Sequence, residues 1–157
     1  MDQILSDILE NTFTLTQLKT RLRVLKASLL KEFFGGELEQ APEDLNWLSS
    51  LPKSFYLQFT KDNVYKLLED LEKTIPTLPI LTIYLTFEPN ENALFQIGSF
   101  ARKTYSTPLL LLDIKLDPAL IAGCSLVWKG RQRDFSLRSK LEEKKPEILN
   151  SFKRFLR

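Results

Sequence analysis

The feature that most constrains this sequence is a change of hydrophobic period at a pair of prolines. Up to residue 75 the apolar positions recur every three or four residues, the repeat of an amphipathic helix. Beyond Pro79 they alternate, the repeat of a strand with one buried face. Pro76 and Pro79 mark the boundary. The pattern predicts an α+β chain in three parts: a reduced helical bundle over residues 1–76, a small α/β domain with a mixed sheet and flanking helices over 77–145, and an amphipathic basic C-terminal helix over 146–157.

Within the first part, Ile4, Leu5, Ile8 and Leu9 predict a short opening helix. Thr14 offers a hydroxyl cap, and Gln17, three residues on, completes a capping box. Leu15, Leu18, Leu22, Leu25 and Leu29 follow at alternating spacings of three and four, with Lys19, Arg21, Arg23 and Lys26 on other faces. That spacing suits a coiled-coil seam or one amphipathic helix of a bundle, and a seam this short favours the bundle. Gly35-Gly36 ends the helix. Pro42 leads a short helix through Leu45 and Leu48, which Pro52 closes. The next helix is expected to begin after Thr60 and run to about Thr74, with Val64, Leu67, Leu68 and Leu71 inward.

In the second part, Leu81, Ile83, Leu85 and Phe87 predict a strand, and Pro89-Asn90 opens a helix carrying Leu94, Ile97, Ala101 and Tyr105. Leu110, Leu112, Ile114 and Leu116 predict a second strand, completing a βαβ unit with a right-handed crossover. Asp117-Pro118 turns the chain into two strands, Cys124 to Lys129 and Arg131 to Phe135. Ser136 can cap a final helix holding Leu137 and Leu141, which Pro146 restarts as a tail aligning Ile148, Phe152 and Leu156.

Composition removes most chemistry. The 157 residues contain no histidine and one cysteine, which excludes a histidine-assisted nucleophile and any Cys/His zinc site. Five glycines provide no phosphate-cradling loop. Carboxylates remain, but nothing brings Asp113, Asp117 or Asp134 together in an apolar pocket. Asp117 and Asp134 read more simply as turn and cap residues, and Cys124 as a small core residue. No catalytic, cofactor-binding or metal-binding residue is therefore expected. A single cysteine points to a reducing compartment. Asp2, Asp7 and Glu10 stand where an export signal needs positive charge. The 14-residue charge-free run from Thr74 to Phe87 is too short to cross a membrane.

Charge is uneven. From Lys129 to Arg157 ten Lys/Arg stand against four Asp/Glu, whereas the preceding 128 residues hold twelve against sixteen. A basic tail on an acidic body fits an anionic partner. The Trp128–Arg133 hairpin could stack a base and neutralise phosphates, which gives the alternative reading: a small RNA-binding α+β protein using Lys129 to Arg133. The sheet lacks the aromatic pattern of ribonucleoprotein motifs. The tail, with Ile148, Phe152, Phe155 and Leu156 beside Lys153, Arg154 and Arg157, either docks on a partner helix, sits on an anionic membrane surface or folds back.

The run Leu116-Asp117-Pro118-Ala119-Leu120-Ile121-Ala122-Gly123 resembles the Asp-Pro-x-Leu-Ile-Gly-Gly turn of the delta subunits of F-type ATP synthases, the oligomycin-sensitivity-conferring protein family. Asp134-Phe135-Ser136, followed by Arg138 and Leu141, resembles that family's Asp-x-Ser and the opening of its last helix. Ala122 replaces the family's first glycine, and the N-terminal domain is shorter than the family's bundle. The resemblance implies a non-catalytic stator subunit of the proton-translocating bacterial enzyme, peripheral on the cytoplasmic face of the plasma membrane. Its partners would be the alpha-subunit N-termini of the head and the b-type stalk subunits. It gives Asp117, Pro118, Gly123, Asp134, Ser136 and Arg138 architectural roles. On this reading Leu15, Leu18, Leu22, Leu25 and Leu29 face the head, and Ile148, Phe152 and Leu156 face the stalk.

Overall fold

A computed structural model of the protein describes residues 2–35 and 42–155. Five helices come first: α1 (Asp2–Glu10), α2 (Leu15–Phe34), α3 (Pro42–Ser50), α4 (Lys53–Tyr56) and α5 (Val64–Thr74). The capping box forms at the start of α2: the Gln17 amide donates to the Thr14 hydroxyl, and the Gln17 side-chain oxygen accepts from the Thr14 amide. Gly35, at φ 79°, ends the helix, its amide donating to the Lys31 carbonyl; Gly36 lies outside the described residues. Ile4, Ile8, Leu18, Leu25, Leu29, Val64 and Leu71 are fully enclosed in one core. Helix α4 falls where Pro52 was expected only to close α3. It buries Phe55, which stacks edge-on against Tyr56 and packs on Phe59.

The sheet then forms from β1 (Ile80–Leu85), β2 (Leu111–Leu116), β3 (Cys124–Trp128) and β4 (Arg131–Asp134), in the order β2-β1-β3-β4. Strands β1 and β2 are parallel, and β3 is antiparallel to both β1 and β4. Helix α6 (Glu91–Thr104) crosses between β1 and β2, capped by the Asn90 side chain, and covers the face carrying Leu81, Ile83, Leu85 and Leu112. Helix α7 (Leu137–Phe155) closes the chain. Among the described residues no helix is long and apolar enough to cross a membrane.

The helical half and the sheet are packed together. Leu111, on the opposite face of β2 from Leu112, is fully buried in the helical core. The Leu112 amide donates to the Phe13 carbonyl at 2.8 Å, so Phe13-Thr14 adds a short parallel pairing outside β2. Gly98 lets Phe13 lie against α6, because a Cβ there would overlap the ring. The Arg102 guanidinium, 4.6 Å from the Phe13 ring centroid, donates to the carbonyls of Leu9 (2.9 Å), Thr12 (2.6 Å) and Leu110 (3.1 Å). Arg21 grips the same link from the other side, donating to the Asn11 carbonyl and the Thr12 hydroxyl while lying over Trp47. Burial lowers the pKa of both arginines.

Arg102→Ala is expected to cost about 3 kcal/mol of unfolding free energy, since several carbonyls lose a charged donor at once. Arg102→Lys should recover only part, because an ammonium lacks the planar fork. Urea unfolding followed by circular dichroism reads both, and a loss under about 0.5 kcal/mol, the scale of an ordinary surface change, would show that the clasp carries little weight.

Candidate protein-docking surface

Strand direction brings the exposed apolar residues to one end of the sheet. Because β3 reverses between them, β1, β2 and β4 run the same way, and their carboxyl ends lie together. Phe87, Leu116, Ile121 and Phe135 follow or finish those strands, and each is more than half exposed. Leu116, Leu85 and Cys124 share one cross-strand row, which Phe135 extends by donating its amide to the Cys124 carbonyl. Helix α7 departs from the same end.

The turn before β3 is built by the residues singled out from the sequence. The Asp117 carboxylate accepts from the Ala119 amide at 3.0 Å, with Pro118 opening a single turn of 3₁₀-helix. Ile121 then sits at φ 67° and ψ −53°, and the Ala122 amide donates to the Leu120 carbonyl, closing a γ-turn. A positive φ at a β-branched residue is strained. Ala122 itself does not take a positive φ, so the missing glycine leaves the turn intact. Gly123 does, at φ 84°, and a Cβ there would lie 2.5 Å from the Phe135 carbonyl oxygen.

The start of α7 is tied to this turn. Ser136 is fully buried; its amide donates to the Asp134 carboxylate at 2.8 Å, and its hydroxyl accepts from the Ser139 amide at 3.1 Å. The Leu137 amide reaches back to the Ala122 carbonyl. Hydrogen bonds from Ser136 hold the Asp134 carboxyl below its ordinary pKa. The linked stability is present above the ordinary Asp range and is lost as pH falls through the lowered pKa. Arg138 turns outward to Glu142, at 3.0 Å. Burial, and then the Asp134 charge, raise the Cys124 thiol pKa and keep it protonated.

Helix α7 has no buried residue anywhere from Leu137 to Phe155. Leu137, Leu141, Ile148, Phe152 and Phe155 fall within about 60° of arc at 3.6 residues per turn, and all are exposed. Lys144 and Lys145 interrupt this stripe. The helix runs on through Pro146 as one element, although the sequence suggested a restart there; the proline costs about 3 kcal/mol in a helix interior. Leu156 lies outside the described residues.

Other expected surfaces are placed differently. Leu18, Leu22, Leu25 and Leu29 are buried against the other helices, and Leu15 packs partly against the same core, so this face of α2 is not available to a partner. That corrects the head-side expectation: the spacing is the bundle's own seam. The helical half instead exposes Leu57 and the adjacent rings of Phe34 and Tyr65, tilted by 35° with centroids 5.6 Å apart. In the hairpin, half-buried Trp128 packs 4.7 Å from Tyr105 on the α6 side of the sheet and has the Lys129 ammonium over its ring, so the stacking platform is partly occupied, while Lys129, Arg131 and Arg133 are exposed. An open groove of about 720 Å³ between α2, α3 and the start of α6 contains Arg21, Trp47 and Glu91, with Arg21 already held by Asn11 and Thr12. Among the described residues no three His, Cys, Asp or Glu side chains gather as a metal site.

Gly123→Ala is expected to destabilise the protein by about 2 kcal/mol or more, through its overlap with backbone at a positive φ. Ile121→Gly should raise the melting temperature, relieving about 1 kcal/mol of strain. A melting temperature unchanged by Gly123→Ala would contradict this account of the turn. Neither a family model nor any curated protein sequence matches the chain, which leaves this exposed end and its projecting helix as the features that bear on function.

Proposed function

We propose that the chain is a non-catalytic stator subunit of a bacterial F-type ATP synthase, joining the catalytic head to the peripheral stalk at the cytoplasmic face of the membrane. One observation carries the reading: a 19-residue helix whose apolar stripe is exposed among the described residues, rooted in a turn that resembles the delta-subunit motif. Such a helix is about 28 Å long at 1.5 Å per residue, enough for several turns of helix-on-helix contact. Burying an aliphatic or aromatic side chain contributes about 1.5–3 kcal/mol. A stripe of that size favours slow dissociation, which a part resisting rotor torque requires more than rapid encounter.

In this reading α7 and the apolar end of the sheet engage the b-type stalk subunits, and the basic residues of the tail select an acidic partner face. The head side falls to the helical half. With the α2 leucines enclosed, the contact with alpha-subunit N-termini passes to the Phe34–Tyr65 pair and Leu57.

Ile148→Asp with Phe152→Asp should weaken binding to the b-type subunits by roughly a hundredfold or more, as for central apolar anchors. The same pair should change urea stability by no more than about 0.5 kcal/mol, because neither residue is buried. Affinity-tagged recovery of the synthase from cells, beside urea unfolding of the purified chain, separates the two effects. Undiminished recovery of alpha, beta and b-type subunits with the double variant would remove α7 from the interface. Recovery of RNA or ribosomal proteins in their place would overturn the stator reading.

A further inference from the structure

The two edges of the sheet are not alike. Strand β4 is a short outer edge of four residues, two of them arginine, and every one is exposed. Brevity and charge are how natural sheets discourage strand addition. Strand β2 has six residues and only its beginning is covered, by the Phe13-Thr14 pairing at Leu112. The chain then turns away into α2, and the ladder it has started on that edge stops.

Backbone direction shows what the rest of the edge presents. The amides of Leu111 and Asp117 donate to the carbonyls of Pro79 and Leu85 on the β1 side, while the Leu112 amide donates outward to Phe13. Successive residues of a strand between parallel neighbours alternate sides. Ile114 and Leu116 therefore direct their amides and carbonyls outward, and among the described residues neither has a backbone partner there. Beside them lies a cleft of about 390 Å³, whose walls include Ile114, Leu116, Leu94, Pro89, Thr16 and Glu88. Among its described lining residues Glu88 alone is ionisable.

We propose that the outer edge of β2 beyond Leu112 is a strand-addition site for an extended segment of a partner protein, with an apolar side chain entering the cleft and a Lys or Arg beside it. The occupant is a strand because it continues a ladder already begun by Phe13-Thr14, and the groups to be satisfied are backbone donors and acceptors. Apolar walls at Leu94, Ile114 and Leu116 take every second side chain. The Glu88 carboxylate favours a cationic flank over an acidic one. The site shares Leu116 with the apolar end of the sheet, but it is argued from the backbone of β2 and stands whether or not the stator reading holds.

The test is amide hydrogen exchange, read by NMR on the full chain, with the peptide acetyl-Lys-Val-Thr-Val-Thr-amide at millimolar concentration. Exchange at Ile114 and Leu116 should slow roughly tenfold once the peptide reaches about ten times its dissociation constant. Two N-methylated versions, each blocking alternate peptide amides, separate backbone pairing from apolar contact. One should lose the protection and the other keep it, since only every second amide faces β2. A glutamate in place of the peptide's lysine should weaken binding. Leu94→Lys should weaken binding of the original peptide while leaving the melting temperature unchanged within error. Equal binding by both methylated peptides, protection elsewhere, or no protection at Ile114 and Leu116 would each overturn the proposal.

Discussion

The fold depends on one guanidinium. Arg102 stands where α1, the α1–α2 link and the entry to β2 meet, and it adds charged donors to the Leu9, Thr12 and Leu110 carbonyls there. Carbonyls at a helix end have no partner within the helix, and the Leu9 and Thr12 carbonyls lie where water is largely excluded. A neutral donor could reach one of them; the planar fork of arginine reaches three carbonyls and covers Phe13 with its face. No carboxylate takes part in these bonds, so desolvation is offset by carbonyl dipoles and the aromatic ring. Arg21 repeats the arrangement around Thr12.

Periodicity made the larger elements legible. The α2 cap, the βαβ unit, the hairpin at Lys129-Gly130 and the Ser136 cap all follow from local signals whose range is a few residues. What periodicity could not reveal is where two elements meet. Leu110, Leu112, Ile114 and Leu116 read as a strand with one apolar face, yet Leu111 between them serves the helical core and Leu112 the sheet core, and two-sided burial has no period of its own. The arginines were hidden for the same reason: Arg21 looks like any cation on the outer face of a helix until its neighbours are known. Helix α4 is too short to show a repeat, and only its aromatics, Phe55 foremost, hinted that the segment is buried.

The candidate surface was half legible. Asp117, Pro118, Gly123, Asp134 and Ser136 announce themselves because a turn and a cap demand particular residue types. The α2 leucines misled because a seam that closes a bundle and one that awaits a partner have the same spacing. Exposure separates them, and exposure belongs to the tertiary structure. The same distinction gives α7 its meaning, for a stripe of similar character there is exposed among the described residues. The strain at Ile121 fits this picture: the turn holds a large apolar side chain outward, where glycine would be easier on the backbone but would offer a partner no side chain.

The clasp at Arg102 also fixes an order of events. It joins residues 93 and 90 positions apart in the chain, and the Phe13–Leu112 hydrogen bond spans a similar distance. Long-range contacts of this kind slow folding, because a large loop must close before any of its contacts form. On the ribosome, Arg21 can hold Asn11 and the Thr12 hydroxyl early, but the Leu9 and Thr12 carbonyls wait for Arg102 on α6, and Phe13 waits for β2. The nascent helical half therefore spends most of synthesis without these long-range partners, the interval in which exposed apolar surface most needs protection by a chaperone.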